Sequence, residues 1–245
     1  MILLALETSS VRGSLALRRD SMPPREILFE EGLVHGREVT ARLEELLRFE
    51  GLDPGAIGAI AVGIGPGSYT GLRVGVTAAK SLAFALRIPV IAESSLLVLA
   101  AGAARGPDRA ARAPALLLPV LDARQGLFFH GLFEPSAGGV GRLAADGAAT
   151  PGDILSVLKA SGAPGAAVLG EGADAFLAAA GGEGGLSLRR LSKESDLPRA
   201  GVLAEIASER ASTARFDAEA VHALEPAYLR ATEAERKLAL GRGAP

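Results

Sequence analysis

The sequence predicts an α/β fold of two similar lobes, each a mixed β-sheet packed with helices. Three observations predict it. The first hundred residues alternate apolar, strand-like runs with helical segments in the order β-β-β-α-β-α-β-α, which is typical of an α/β lobe. A buried strand, an acidic residue, a turn with glycine and a second apolar strand follow one another twice, first at Glu7 and again at Asp122. A chain of 245 residues can bury the cores of two small lobes.

The elements of the first lobe follow from apolar periodicity and turn residues. Short apolar runs that stop at polar residues predict strands, and leucines spaced three and four apart predict helices. We expect strands over residues 2–7, 13–18, 25–31, 56–64 and 88–93, and helices over residues 36–50, 69–86 and 94–104.

A segment rich in Arg, Ala and Pro, residues 105–114, is the predicted linker. It divides the chain into an N-terminal lobe, 1–104, which the C-terminal helix can rejoin, and a C-terminal lobe with its tail, 105–245. In this second lobe a buried strand ends at Asp122, and another strand follows Gly126. Helices over residues 151–161, 172–180 and 199–214 are expected to complete it.

The composition argues against several classes of protein. The net charge is −2 and the isoelectric point about 6.0, which does not fit a stand-alone nucleic-acid-binding protein. The chain has no cysteine, so disulfides and thiolate metal sites are excluded. The apolar N-terminus lacks the basic start of a signal peptide, and no apolar run approaches the roughly 18 residues of a membrane span. We therefore expect a cytoplasmic protein without membrane segments.

The stretch GIGPGSYTGLRVG, residues 63–75, has two interpretations. It contains no GxxxxGK[ST] phosphate loop, and its third glycine comes one residue too late for a GxGxxG dinucleotide fingerprint. Ser68, Thr70 and the free amides of a helix start could still hold an anion.

The second interpretation is close packing. Gly67, Gly71, Gly75, Ala79 and Ala83 recur every four residues and form a stripe of small residues on one helical face. A glycine inside a helix costs about 0.5–1 kcal/mol relative to alanine, so close helix contact is needed to compensate. That contact can lie within the chain or between subunits. We predict a partner interface on this helix and the preceding one, formed by Gly71, Leu72, Gly75, Val76, Ala79, Ala83, Leu43 and Leu46.

Several motifs together resemble a known family. LALETSS, GIGPGSYTGLRVGVTAAKSLAFALRIPVI, VLDARQG, VLGEGAD and PAYLR are similar, in the same order, to motifs of the bacterial tRNA threonylcarbamoyladenosine biosynthesis protein family TsaB, also called YeaZ. The long central motif is specific and the others are individually weak. The resemblance implies an actin/Hsp70-like (ASKHA) fold.

The resemblance also implies a function and partners. Members are non-catalytic subunits that pair with the paralogue TsaD, which transfers threonylcarbamoyl to a tRNA adenosine beside the anticodon. The ATPase TsaE joins them, so that the complex uses ATP and magnesium while the isolated chain needs no cofactor. Alone, the chain is expected to form a homodimer, and it meets tRNA only through the complex. Arg230, Arg236 and Lys237 of the tail could add to such a composite surface, but a solvated helix face that alternates them with Glu233 and Glu235 is the preferred interpretation.

The paralogue TsaD carries His-x-x-x-His on the helix after the glycine stretch to bind its catalytic metal. By position, these histidines correspond to Ser95 and Leu99 here, and leucine cannot bind a metal. The three histidines present, His35, His130 and His222, are far apart in sequence, and each is expected to be structural. We therefore expect no metal site and no catalytic residues.

The alternative function is an actin-fold kinase or ATPase that binds ATP on its own. Its weak candidate residues are Glu7, Thr8, Ser9 and Asp122. The family's first strand usually ends in Asp rather than Glu, which argues against a nucleotide role for Glu7. A carboxylate that accepts turn amides is the simpler explanation for both acids. The sequence does not explain the DARQG motif, including Arg124. A metalloprotease is disfavoured because HExxH is absent.

Overall fold

A computed structural model of the chain describes residues 1–29, 35–106, 116–136, 139–181 and 185–230. The first half contains the strands β1 (Ile2–Glu7), β2 (Ser14–Arg19), β3 (Arg25–Leu28), β4 (Ile57–Gly63) and β5 (Val90–Glu93), and the helices α1 (His35–Glu50), α2 (Tyr69–Leu86) and α3 (Ser95–Arg105). The second half contains the strands β6 (Leu116–Asp122), β7 (Phe128–Ser136), β8 (Gly139–Ala149), β9 (Gly165–Leu169) and β10 (Ser187–Arg190), and the helices α4 (Pro151–Ala160), α5 (Ala173–Ala180), α6 (Ala200–Thr213) and α7 (Ala218–Ala223).

The two sheets have the same topology. The first has the strand order β3-β2-β1-β4-β5 and the second the order β8-β7-β6-β9-β10. In each, three antiparallel strands continue into two parallel ones. The prediction of two similar lobes with mixed sheets is therefore confirmed.

The repeat places two acidic residues at equivalent positions. Glu7 ends β1 and lies opposite Ser14 of β2. Asp122 ends β6 and lies opposite Phe128 of β7. The turns that follow these two strands line the same cleft.

Two helices pack on the opposite lobe from the one predicted. Helix α3 supplies Leu96 and Leu99 to a core cluster with Leu117 and Phe133 of the second sheet. Helix α6 instead packs on the first sheet, where Leu203 joins the cluster formed by β1 and β4. The prediction that the helix of residues 94–104 packs in the first lobe and the helix of residues 199–214 in the second was therefore wrong. The sequence analysis did allow a C-terminal helix to pack on the N-terminal lobe. The division at residues 104 and 105 itself stays a prediction, and linker residues 107–114 lie outside the described residues.

Three strands of the second lobe were not predicted. Strand β9 is only five residues long and begins Gly-Ala-Ala, which have low β-propensity. A Cβ atom on its Gly165 would lie 1.9 Å from the Ser187 carbonyl oxygen, so glycine lets β10 approach. Strands β8 and β10 are the sheet edges, and their alternation of apolar and polar residues is weak.

Candidate functional site

Glu7 is completely buried at the end of β1. Its Oε1 accepts a hydrogen bond from the Ser9 backbone amide at 2.8 Å, and its Oε2 accepts one from Ser95 Oγ at 3.0 Å. A Cβ atom on Gly63 would lie 2.0 Å from Glu7 Oε2, so only glycine leaves room for this carboxylate. Burial raises the pKa of Glu7 above its usual value, and hydrogen bonds from Ser9 and Ser95 act in the opposite direction. Glu7 is thus an internal acceptor for turn and helix donors, as the simpler interpretation proposed.

The two helix positions compared with TsaD are used for packing. Ser95 is fully buried, donates to Glu7 and accepts a hydrogen bond from the Gly65 amide at 3.2 Å. Leu99 is 1% exposed and lies in the core between α3 and the second sheet. Both side chains therefore hold the lobes together.

The glycines of α2 fit around the turn that follows β1. Thr8 Oγ1 donates to the Gly71 carbonyl oxygen at 2.8 Å. A Cβ atom on Gly75 would lie 2.2 Å from Thr8 Oγ1. Ser68 caps the helix by accepting from the Gly71 amide, and its own amide donates to the Ser9 carbonyl oxygen at 2.6 Å. Thr8 and Ser9 therefore contact protein groups of α2.

The residues predicted as a partner interface are inside the protomer. All of them are buried, and most belong to one core cluster with β1 and β4: Gly71, Leu72, Gly75, Val76, Ala79, Ala83, Leu43 and Leu46. Packing within the chain therefore offsets the conformational cost of the helical glycines. The prediction that these residues form a surface for a partner was wrong. A partner can reach α1 and α2 only through their outer faces.

A cleft of about 590 Å³ lies between the lobes. The first lobe contributes residues of the turn after β1 and of the α2 start, and the second lobe contributes the ends of β6 and β9. Its lining residues are Ser9, Ser10, Val11, Gly67, Ser68, Tyr69, Leu121, Asp122, Arg124, Phe129 and Glu171. Glu7 lies behind Ser9 and is not part of this lining.

Asp122 and Glu171 supply the two carboxylates of the cleft. Asp122 Oδ1 accepts from the Arg124 amide at 2.7 Å, and Oδ2 lies 3.4 Å from the Arg124 guanidinium. Partial burial raises the pKa of Glu171, a hydrogen bond from the Val11 amide opposes this, and nearby Asp196 adds to the increase. Asp122 is therefore paired with Arg124, and Glu171 lies near the carboxylate of Asp196.

The VLGEGAD motif fixes the position of Glu171. The flanking glycines are needed because a Cβ atom on Gly170 would lie 2.5 Å from the Val120 carbonyl oxygen, and one on Gly172 would lie 2.8 Å from the Asp122 amide nitrogen. Asp196, which is paired with Arg190, accepts from the Gly170 amide at 2.9 Å. Glu171 is thereby held against the end of β6.

Comparison with known proteins decides the family. A family model described as TsaD, tRNA N6-adenosine threonylcarbamoyltransferase, matches residues 34–238. Over 239 residues the chain is 33% identical to the tRNA threonylcarbamoyladenosine biosynthesis protein TsaB of Bacillus subtilis, covering 97% of each chain. The chain belongs to the TsaB family.

Two solved structures from Pseudomonas aeruginosa share the fold of this TsaB-family chain. One, described as similar to the peptidase YeaZ, has a TM-score of 0.75 at 26% identity and covers 94% of this chain and 99% of its own. The other, YeaZ, has a TM-score of 0.72 at 25% identity and covers 93% and 99%. The actin/Hsp70-like (ASKHA) fold expected from the motifs is confirmed.

The TsaB-family motif PAYLR forms a strap, residues 224–230, across the two lobes. The Ala227 amide donates to the Ile64 carbonyl oxygen at 2.8 Å, and the Tyr228 ring stacks on Tyr69 with centroids 5.2 Å apart. Arg230 then donates to the Arg124 carbonyl oxygen at 2.8 Å and also contacts Ala123 and Gln125.

The strap gives a structural role to the DARQG motif, which the sequence alone did not explain. Arg124, Gln125 and Gly126 all have positive φ, at 66°, 57° and 74°. Non-glycine residues rarely adopt this conformation, and the hydrogen bonds from Arg230 stabilise it. The solvated-face interpretation of Arg230 was therefore wrong; Arg236 and Lys237 lie outside the described residues.

The histidines of the described ranges are not grouped with other possible metal ligands. His130 is buried on β7, burial lowers its pKa, and neighbouring Asp146 acts in the opposite direction. Ser94 caps α3, and its hydroxyl donates a hydrogen bond to Asp146 on β8. Asp146 therefore connects the second sheet to the start of α3. Across the described ranges no three His, Cys, Asp or Glu residues cluster as metal ligands. The His222 carbonyl oxygen accepts from Lys80, and the His35 side chain lies outside what is described.

None of the helices in the described ranges is both long and apolar enough to cross a membrane.

Proposed function

We propose that this chain is a non-catalytic subunit in the biosynthesis of threonylcarbamoyladenosine in tRNA. It acts in the cytoplasm by pairing with the catalytic paralogue TsaD, and the ATPase TsaE joins the pair. ATP and magnesium are used by the complex, and tRNA is met only through it. The observation that carries the proposal is the use of Ser95 and Leu99, which correspond to the metal-binding histidines of the paralogue, for internal packing.

The cleft supports a non-catalytic role over the kinase or ATPase alternative. A nucleotide site of this fold would need cationic groups or free amides for phosphates. Among the described residues that line the cleft, Arg124 is the single basic one, and its guanidinium is paired with Asp122. Glu7 is buried behind the turn and bonded to Ser9 and Ser95, so it is not positioned to organise a metal in the cleft.

Pairing is proposed to use the outer faces of α1 and α2. These faces carry exposed aromatic residues, Phe49 at 67% and Phe84 at 41% exposure, beside the exposed polar residues Thr77 and Ser81. Exposed aromatic groups on neighbouring helices are typical of interface centres. The same faces serve a homodimer when TsaD is absent.

The proposal is tested by light scattering of the purified chain with and without TsaD. We expect a homodimer alone and a heterodimer when TsaD is added. Thr77→Arg places a bulky charge on the outer face of α2 without entering the core and should abolish both associations. Ala179→Arg, on the exposed face of α5, is the matched control and should leave both intact. No complex with TsaD at micromolar concentrations of either wild-type protein would contradict the proposal.

A further inference from the structure

We propose that the strap, residues 224–230, is a releasable latch that sets the angle between the two lobes, and that Arg230 is the end at which it releases. The inference concerns the chain by itself and does not depend on the proposed function. It rests on where the chain crosses between the lobes, on the unequal attachment of the strap to them, and on the backbone of the turn that Arg230 holds.

The described chain crosses between the lobes at three places. The first crossing leads from β5 of the first sheet into α3, which packs on the second sheet. The second leads from Asp196, which bonds to Gly170 after β9, into α6 on the first sheet. The third is the strap, which follows α7 on the first lobe and reaches the turn after β6 with Arg230.

The helices and the strap join the lobes in different ways. Helices α3 and α6 contact each other, and among the described residues that line the cleft none belongs to either helix. The strap spans the cleft instead, because Tyr228 stacks on Tyr69, Arg230 bonds to Arg124, and both Tyr69 and Arg124 line the cleft. Lobes joined in this way can rotate about the two helices and open the cleft once the strap has released.

The strap is attached more firmly to the first lobe than to the second. On the first lobe, Lys80 of α2 donates to the Leu224 carbonyl oxygen at 3.1 Å, Ala227 bonds to the chain just after β4, and Tyr228 stacks on the first residue of α2. On the second lobe, the hydrogen bonds of the described strap all come from Arg230. The strap can therefore detach at Arg230 while the rest of it stays on the first lobe.

The turn that Arg230 holds is in a conformation that needs support. Arg124 and Gln125 are non-glycine residues in the left-handed region, with φ of 66° and 57°. The guanidinium of Arg230 donates to the carbonyl oxygens of Ala123 and Arg124 and to the side chain of Gln125, and all three acceptors are neutral oxygen atoms. Because strained backbone persists where its surroundings hold it, the turn should rearrange when Arg230 leaves.

A second bond also crosses the cleft. The Val11 amide of the first lobe donates to the Glu171 carboxylate of the second. Both residues are exposed, so water can replace this bond when the cleft opens. The strap is therefore the attachment whose loss should free the lobes.

Distances between two spin labels, measured by pulsed electron paramagnetic resonance, test the latch. The chain has no cysteine, so Ala41→Cys on α1 and Ala179→Cys on α5, both at exposed positions, can be labelled specifically. A large excess of unlabelled protein restricts the signal to label pairs within one protomer. We expect a single narrow distance distribution for the otherwise wild-type protein and a broader distribution, shifted from the first, for Arg230→Ala.

Three further variants separate the latch from a general loss of structure. Tyr228→Ala removes the stack at the other end of the strap and should also broaden the distribution. Arg230→Lys keeps a cationic donor for the carbonyl oxygens and should give a narrower distribution than Arg230→Ala. Arg215→Ala is the matched control and should keep the wild-type distribution. Circular dichroism verifies that each labelled variant is folded.

Three results would overturn the proposal. If the distribution of Arg230→Ala is as narrow as that of the wild type and centred at the same distance, the two crossing helices fix the lobes without the strap. If Arg215→Ala broadens the distribution as much as Arg230→Ala, the effect is not specific to the strap. If the distribution is already broad in the wild type, the strap does not fix the angle between the lobes.

Discussion

Ser95 Oγ donates a hydrogen bond to Glu7 Oε2 over 3.0 Å, and this contact ties the start of α3 to the end of β1. Because α3 packs on the second sheet and β1 is central to the first, the bond links the two lobes. It also accounts for Glu at this position, since the carboxylate extends past Gly63 to reach the hydroxyl.

Ser95→Ala should lower the stability of the protein. It removes one of the donors to a fully buried carboxylate and leaves the Gly65 amide without this acceptor. We expect the free energy of unfolding to fall by about 1–3 kcal/mol. Urea unfolding measures the change, and Ser81→Ala on the exposed face of α2 should change it little. An equal, small effect of both substitutions would show that the Glu7 contact contributes no stability.

Glu7→Gln should make stability less dependent on pH. Burial raises the pKa of Glu7 in the folded protein above its ordinary value. Between the unfolded and the folded pKa the native state therefore binds more protons than the unfolded state, so this group lowers stability as pH rises through that window. The free energy of unfolding of Glu7→Gln minus that of the wild type should therefore be larger at pH 7 than at pH 4. Urea unfolding across pH 4–8 measures the difference, and a difference that moves the other way would refute the assignment.

Gly75→Ala should destabilise the protomer rather than an interface. The new Cβ atom would lie 2.2 Å from Thr8 Oγ1, and overpacking of this kind costs about 1–3 kcal/mol. Thr8→Ala removes that oxygen, so the double variant should recover part of the loss in a double-mutant cycle. Gly36→Ala on α1 is the control, because its nearest neighbour, Val74, would be at an ordinary 3.8 Å. Purely additive effects of Gly75→Ala and Thr8→Ala would rule out this contact.

Arg230→Ala should loosen the turn that carries DARQG. The guanidinium holds carbonyl oxygens of residues whose backbone is in the left-handed region. Without it we expect faster hydrogen exchange of the Arg124 and Leu127 amides, while the amides of β1 are unchanged. Arg215→Ala is the control, because within the described part of the chain Arg215 donates to the carbonyl oxygens of its sequence neighbours Thr213 and Ala214. Unchanged exchange at Arg124 and Leu127 would show that the strap does not stabilise the turn.

The first lobe could be predicted from sequence because its signals are local. ILLALE is a five-residue apolar run stopped by a charge, and β1 spans these six residues. Helix α2 begins after a serine cap and ends in a left-handed residue, and its predicted bounds agree with the structure. Such signals identify an element without saying what it packs against. The sequence therefore could not show that α3 and α6 pack on opposite lobes.

The site depended on contacts between residues far apart in the chain. Spacing alone identified the small-residue stripe, but only the position of Thr8 shows that it faces the interior. PAYLR and DARQG were recognised separately, and nothing in either motif indicates that Arg230 binds Arg124 across 106 positions. Glu171 was missed because a single acid between two glycines resembles a turn; the two flanking glycines were the available signal.

The modification of tRNA in a purified system tests the central claim most directly. TsaD, TsaE, the adenylate-forming enzyme, ATP and tRNA are combined with and without this chain, and threonylcarbamoyladenosine is quantified by mass spectrometry. We predict that modification requires the chain, and that the chain alone, with adenylate and tRNA, forms no product. Equal modification without it, or product formed by the chain alone, would contradict a non-catalytic subunit role.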